Sequence, residues 1–115
     1  MKYQIIKKSQ ILSKEKFGIK IDLYPVIGNC EIVVVETELG HNQEFYDKIS
    51  DLNYIILDGF GSFFINDEEV KVQKGDFVSI KPNNRLYYKG KMRLVLITTP
   101  PWQAGNEVET KPAIW

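Results

Sequence analysis

Between Asn53 and Thr99, short runs of β-branched and aromatic residues alternate with turn signals at nearly constant spacing, a pattern that few folds accept. The phrase Tyr54-Ile55-Ile56-Leu57-Asp58-Gly59-Phe60-Gly61 reads as a strand closed by a glycine turn, the local sign of a hairpin. A second phrase, Lys74-Gly75-Asp76-Phe77-Val78-Ser79-Ile80-Lys81-Pro82-Asn83-Asn84, opens on a turn, alternates as a strand and stops at Pro-Asn-Asn. No heptad and no sustained helical period occurs. About nine short strands with connections short enough for antiparallel pairing predict an all-β sandwich or small barrel.

The pattern extends to both sides of this stretch. Residues 1–12 alternate weakly and predict an edge strand, and Ser13-Lys14-Glu15-Lys16 reads as a solvated charged connector. Phe17 to Tyr24 has a clean period of two, and Cys30 to Leu39 is a β-branched run closed by Gly40. Residues 41–52 are polar and mixed. Ser62 to Ile65 predicts a return strand, Asn66-Asp67-Glu68 a turn into Glu69 to Val72, and Phe77 to Ile80 a further strand. Leu86 to Lys89 and Met92 to Thr99 predict a last hairpin across Gly90. The prolines after Thr99 argue against more sheet, so Trp102 and Trp115 are expected to dock a tail on the barrel or on a partner.

Composition narrows the function classes. At 115 residues, with 43% apolar and 26% charged residues, the chain reads as a single globular domain, 1–115. Fifteen basic and fifteen acidic side chains cancel, which disfavours a nucleic-acid partner. Nothing resembles a signal peptide or a membrane span, so a cytoplasmic location without membrane association is expected. The lone Cys30 reads as a reduced strand thiol. Tyr54 to Leu57 is apolar on both faces, so one face needs an outside cover, and we expect a homodimer.

The two phrases, with Glu69 to Asp76 and Leu94 to Trp102, resemble the cupin superfamily over about residues 30–102, with edge strands at 1–29 and a docking tail at 103–115. The resemblance implies an antiparallel double-stranded β-helix, a jelly-roll barrel. It also implies a metal held by a His-x-His pair, a Glu and a further His. Those positions fall here on Phe45 and Asp47, or in a second register on Tyr46 and Lys48, then on Leu52 and Leu86. None of them carries the expected ligand, so neither a metal nor another cofactor is expected.

Period-two reasoning from Leu52 and Leu86 turns Tyr54, Ile56 and Tyr88 inward, with Phe45 and Asp47 joining them in the first register. The candidate ligand-binding set is therefore Phe45, Asp47, Leu52, Tyr54, Ile56, Leu86 and Tyr88, a mixture suited to a small polar organic molecule such as a sugar or carboxylate. Three functions stay open: a binding module without chemistry, a metal-independent sugar isomerase or epimerase using Asp47 with Tyr54 or Tyr88, and a structural or regulatory domain with a filled interior. The only histidine, His41, stands in a Gly40-His41-Asn42 turn and reads as an exposed loop residue; a general base at the pocket mouth is the alternative.

Overall fold

A computed structural model describes residues 3–113. Its strands are β1 (Leu12–Lys16), β2 (Ile19–Leu23), β3 (Glu31–Thr37), β4 (Gln43–Asp47), β5 (Asp51–Ile65), β6 (Glu68–Gln73), β7 (Phe77–Ile80), β8 (Leu86–Thr99) and β9 (Glu107–Pro112). All pair antiparallel, in the order β1-β2-β3-β8-β4-β9, with β5 laid along β8 and also carrying β6 and β7. The sheet curls into a barrel with β1 and β9 as edges, as the antiparallel cupin arrangement requires.

The spine is the β5–β8 ladder, which runs from Asp51 opposite Thr99 to Ile65 opposite Leu86. Two strands this long must bend to wrap a core, and the bend lies at a register shift between Ile56 and Asp58. Gly59 there has φ +84, and a Cβ on it would overlap the Lys91 carbonyl oxygen, so only glycine lets the strands meet. Inward side chains then alternate along each strand: Ile19 and Ile21, Val33 and Val35, Leu52, Tyr54 and Ile56, and Leu94 are all buried.

Several expected boundaries shift, for identifiable reasons. The register shift leaves Leu57 as a bulge and keeps Asp58-Gly59 paired inside β5, so Ser62 to Ile65 continues that strand. Gly90 lies opposite Gly61 within β8, and residues 86–99 form one strand where a hairpin was expected. In both places glycine serves close approach of two strands, and a turn is not needed. Ser13 to Lys16 is part of β1, because alternation there is hidden by charge on both faces. Of residues 3–11 none is strand, and Lys8–Gln10 makes one 3-10 turn; Met1 and Lys2 lie outside the described residues. The tail does return to the sheet: Pro100 and Pro101 precede β9, and Pro112 ends it on an edge where a missing N–H is tolerated. Trp102 docks against the barrel mouth, while Trp115 lies outside the described residues.

The bend makes a clear prediction. Gly59→Ala should lower stability by about 3 kcal/mol, combining positive-φ strain with the clash. Gly75→Ala, at φ +92 with nothing within 4 Å of the added carbon, should cost about 1 kcal/mol. Urea midpoints of the two variants, compared at equal m-value, check the difference.

Candidate active site

One cavity opens between the edge strands and is lined by side chains from most of the sheet. Ile19, Ile21, Leu23, Val33, Val35 and Leu96 form its apolar wall, and His41, Tyr54 and Tyr88 stand together among its polar groups.

The histidine is placed by its neighbour. Gly40 adopts φ +134, and a Cβ there would overlap the Tyr88 carbonyl oxygen, so glycine lets this turn press against β8. The His41 backbone N–H then donates to the Tyr88 carbonyl at 2.8 Å, and the Asn42 N–H donates to the Phe17 carbonyl at 2.9 Å. The imidazole, 4% exposed, is held among the rings of Phe45, Phe17 and Tyr88, with centroids at 4.8, 5.2 and 5.5 Å. Burial lowers its pKa from 6.5 to about 4, opposed by a backbone hydrogen bond at Gln43 and assisted by the ammonium of Lys16. It is therefore neutral at neutral pH.

Tyr54 and Tyr88 come from β5 and β8 and meet edge to face, with centroids 5.8 Å apart. Phe63 packs 5.0 Å from each. Burial raises both phenol pKa values, and for Tyr54 the neighbouring Tyr88 and the Glu107 carboxylate add to it. Both hydroxyls keep their protons near neutrality, and neither bonds to another group among the described residues, so both are available as donors to a ligand.

The mouth is a seam between the two sheet edges. From β1, Lys16 Nζ lies 3.7 Å from Glu107 Oε2 on β9 and 5.0 Å from the Trp102 ring, with Lys14 Nζ at 5.6 Å from that ring. The indole Nε1–H of Trp102 donates to Glu107 Oε1 at 3.3 Å. Glu31 and Thr98, opposite each other on β3 and β8, also line the cavity.

Of the residues expected to bind a ligand, Phe45, Leu52, Tyr54 and Tyr88 line the cavity. Ile56 and Leu86 are buried in the core and do not. Asp47 is buried, as the first register has it, yet its Oδ1 accepts the backbone N–H groups of Ile49 and Ser50 and caps the turn after β4. Its carboxylate therefore serves the turn and does not line the cavity. His41, expected on an exposed loop, is buried beside the two tyrosines. The signals that could have found it are the aromatic residues that box it in, Phe17 and Phe45, and a glycine immediately before it. With Leu52 and Phe45 at ligand positions, and no cluster of three His, Cys, Asp or Glu side chains among the described residues, the donors present do not fit the cupin metal.

No sequence-family model and no curated protein sequence matches the chain. Solved structures do. Pac13, described as a nucleoside dehydratase with a β-barrel, superposes with a TM-score of 0.91 at 29% identity, covering 97% of this chain and 93% of its own. Three single-substitution variants of Streptomyces Pac13, each with uridine, match at 27–28% identity and a TM-score of 0.92, over the same shares of both chains. The cupin domain of Schizosaccharomyces pombe Cnp3 matches at 17% identity and a TM-score of 0.66, covering 81% of this chain and 71% of its own. The chain has the cupin fold. Similarity at the level of Cnp3, or of Halomonas KdgF at 10% identity, with a TM-score of 0.76 over 88% of this chain and 96% of its own, speaks for the cupin fold alone.

The buried imidazole links this cupin's stability to pH. The unfolded chain takes up the His41 proton near pH 6.5 and the folded chain only near 4, so between those values the unfolded state binds more protons. Stability from this group is complete above about pH 6.5 and falls with pH through the window, by about 3 kcal/mol at pH 4. In urea titrations from pH 7 to 4, the wild type should lose that much more stability than His41→Gln, whose shared carboxylates cancel in the difference.

Proposed function

We propose that this cupin is a metal-independent dehydratase that removes water from a nucleoside. The observation that carries the reading is the convergence of His41, Tyr54 and Tyr88 on one cavity. The Pac13 variants with uridine replace one histidine by glutamine and two tyrosines by phenylalanine, at positions with the same sequence spacing as these three.

Elimination of water has two proton tasks. A base takes the proton from one carbon, and the C–H electron pair becomes the new C=C bond. The C–O pair on the neighbouring carbon leaves with oxygen, which must receive a proton to depart as water. Neutral imidazole has the lone pair for the first task, and the protonated phenols can serve the second or hold the sugar hydroxyls. An imidazole with a pKa of about 4 is a weak base, so the C–H must lie beside an electron-withdrawing group. The imidazolium is disfavoured by burial and by Lys16, which favours passing the proton on to the departing oxygen.

The Gln43 N–H reaches His41 Nδ1 at 3.4 Å, which favours the tautomer with hydrogen on Nε2. A contact that long is weak, so exchanging tautomers to free Nε2 costs little. Asp47, the base in the isomerase reading, has Oδ1 held by its turn and does not line the cavity; proton transfer is kept and moves to His41. A binding module without chemistry would need no histidine held neutral beside two phenols.

The test is loss of one water from candidate nucleosides, followed by mass spectrometry. His41→Gln, Tyr54→Phe and Tyr88→Phe should each lower kcat by about a hundredfold or more while the chain stays folded. Asp47→Asn should leave kcat within about threefold. Wild-type rates in the His41 variant would defeat the proposal.

We also propose a homodimer through the outer sheet face. Phe77, Ile55, Val95 and Val34 form one apolar row across β7, β5, β8 and β3, with Ile97 and Ile32 beside it; Phe77 is 60% exposed. A self-complementary apolar face suits a two-fold contact. Light scattering should give twice the chain mass at micromolar concentration, and Val95→Glu should give the monomer.

A further inference from the structure

The proton-transfer groups account for only part of the cavity lining. A second polar set surrounds the seam: Lys14 and Lys16 from β1, Glu31 from β3, Trp102 from the chain leading into β9, and Glu107 from β9 itself. It lies one aromatic ring from the first set, since Lys16 Nζ sits 5.2 Å over the Phe17 ring and that ring lies 5.2 Å from His41. A ligand touching both sets is about the size of a sugar joined to a base.

Resting on the nucleoside reading, we propose that the seam reads the base, and that Lys16, Glu107 and Trp102 select a pyrimidine with a protonated imide, such as uracil, over cytosine. Trp102 supplies a ring face for stacking. Lys16 donates and, 3.7 Å from it, the Glu107 carboxylate accepts, so the seam offers a donor beside an acceptor. The uracil edge presents the complement, a carbonyl beside an N–H. Cytosine turns a lone pair toward the carboxylate where uracil has its N–H, a mismatch that leaves partly buried charge unpaired.

Charge balance argues against the other use of two lysines. Two ammonium groups and two carboxylates, Glu31 and Glu107, make a neutral rim that gains nothing from a phosphate. The present pairing is also easily exchanged. Lys16 and Glu107 are 3.7 Å apart with side chains 33% and 16% exposed, a long and partly solvated contact. The cavity of about 90 Å³ holds roughly three waters. A nucleoside is larger, so in this proposal the pair parts and both groups turn to the ligand. The bond from Trp102 Nε1–H to Oε1 keeps the carboxylate oriented while its other oxygen changes partner.

The experiment is calorimetric titration of the full chain with uridine, cytidine, N3-methyluridine and uridine 5′-monophosphate. Uridine should bind, with cytidine and N3-methyluridine each weaker by about tenfold or more, the size of one mismatched buried hydrogen-bonding group. Glu107→Gln should bring the uridine-to-cytidine ratio close to one. Lys16→Met should weaken uridine by about tenfold, with Trp102→Phe retaining stacking and most of the affinity. Equal wild-type binding of uridine and cytidine, or a ratio unchanged in Glu107→Gln, would overturn the base-reading role and leave the nucleoside dehydratase standing. Tighter binding of the monophosphate than of uridine would reassign the lysines to phosphate and overturn it as well. Failure of all four ligands to bind at millimolar concentration would bring down both readings.

Discussion

The close approach of β8 to its neighbours at glycine positions is the constraint from which the rest follows. Gly59, Gly61 and Gly90 let β5 and β8 run against each other through the bend, each where a Cβ would strike the opposite backbone. Gly40 repeats the device at the other face of β8, against Tyr88. Tyr54 and Phe63 share one bent strand, so the bend is what brings their rings within 5.0 Å, with Tyr88 closing the group from β8. The histidine joins the group only because its preceding residue has no side chain. Backbone sterics thus decide the position of every proton-handling group in the cavity.

The same device explains what the sequence disclosed and what it concealed. Period-two alternation is a local signal, and it located Ile19–Leu23, Glu31–Thr37 and Phe77–Ile80 closely. Counted from Leu52 and Leu86, positions taken from the cupin resemblance, it also turned Tyr54, Ile56 and Tyr88 inward, and all three are buried. A glycine, however, reads alike whether it makes a turn or a close crossing, so β5 and β8 were each divided in two. His41 was misread for a related reason: polar residues around it suggest a loop, and its burial depends on a contact with Tyr88, far along the chain. Asp47 has the converse history. Its inward register was legible, but the backbone donors of Ile49 and Ser50 that engage it belong to a turn whose geometry no periodicity reports.

Charge is handled differently inside and outside the cavity. Behind β4, Glu44 is fully buried and takes Arg85 Nη1–H donors at 3.2 and 3.3 Å and the Thr110 hydroxyl at 2.7 Å. Arg85 also reaches Asp67 at 2.9 Å, and Lys111 reaches Asp67 at 3.2 Å. These bonds hold Asp67 down to about pKa 2 and tie β4, the turn after β5, β8 and β9 together. A buried carboxylate is tolerated there because its lone pairs are occupied. The network explains how β9, the strand carrying Glu107 to the seam, stays in register despite sitting on an edge.

Inside the cavity the solution is neutrality. A cupin that grips a metal buries ligands whose charge the ion compensates; here Phe45, Leu52 and Leu86 occupy three of those corners, and Asp47 at the fourth is turned to the backbone of Ile49 and Ser50, so the charged lining groups stand only at the seam. Histidine held below its usual pKa and tyrosines held above theirs are the titratable side chains that can be buried uncharged at neutral pH while keeping one lone pair and two acidic protons. The apolar wall that makes the imidazole a poor base also makes it a poor resting place for a proton. Chemistry in such a site favours a proton taken and returned within one event, which is the requirement of an elimination whose leaving group departs as neutral water.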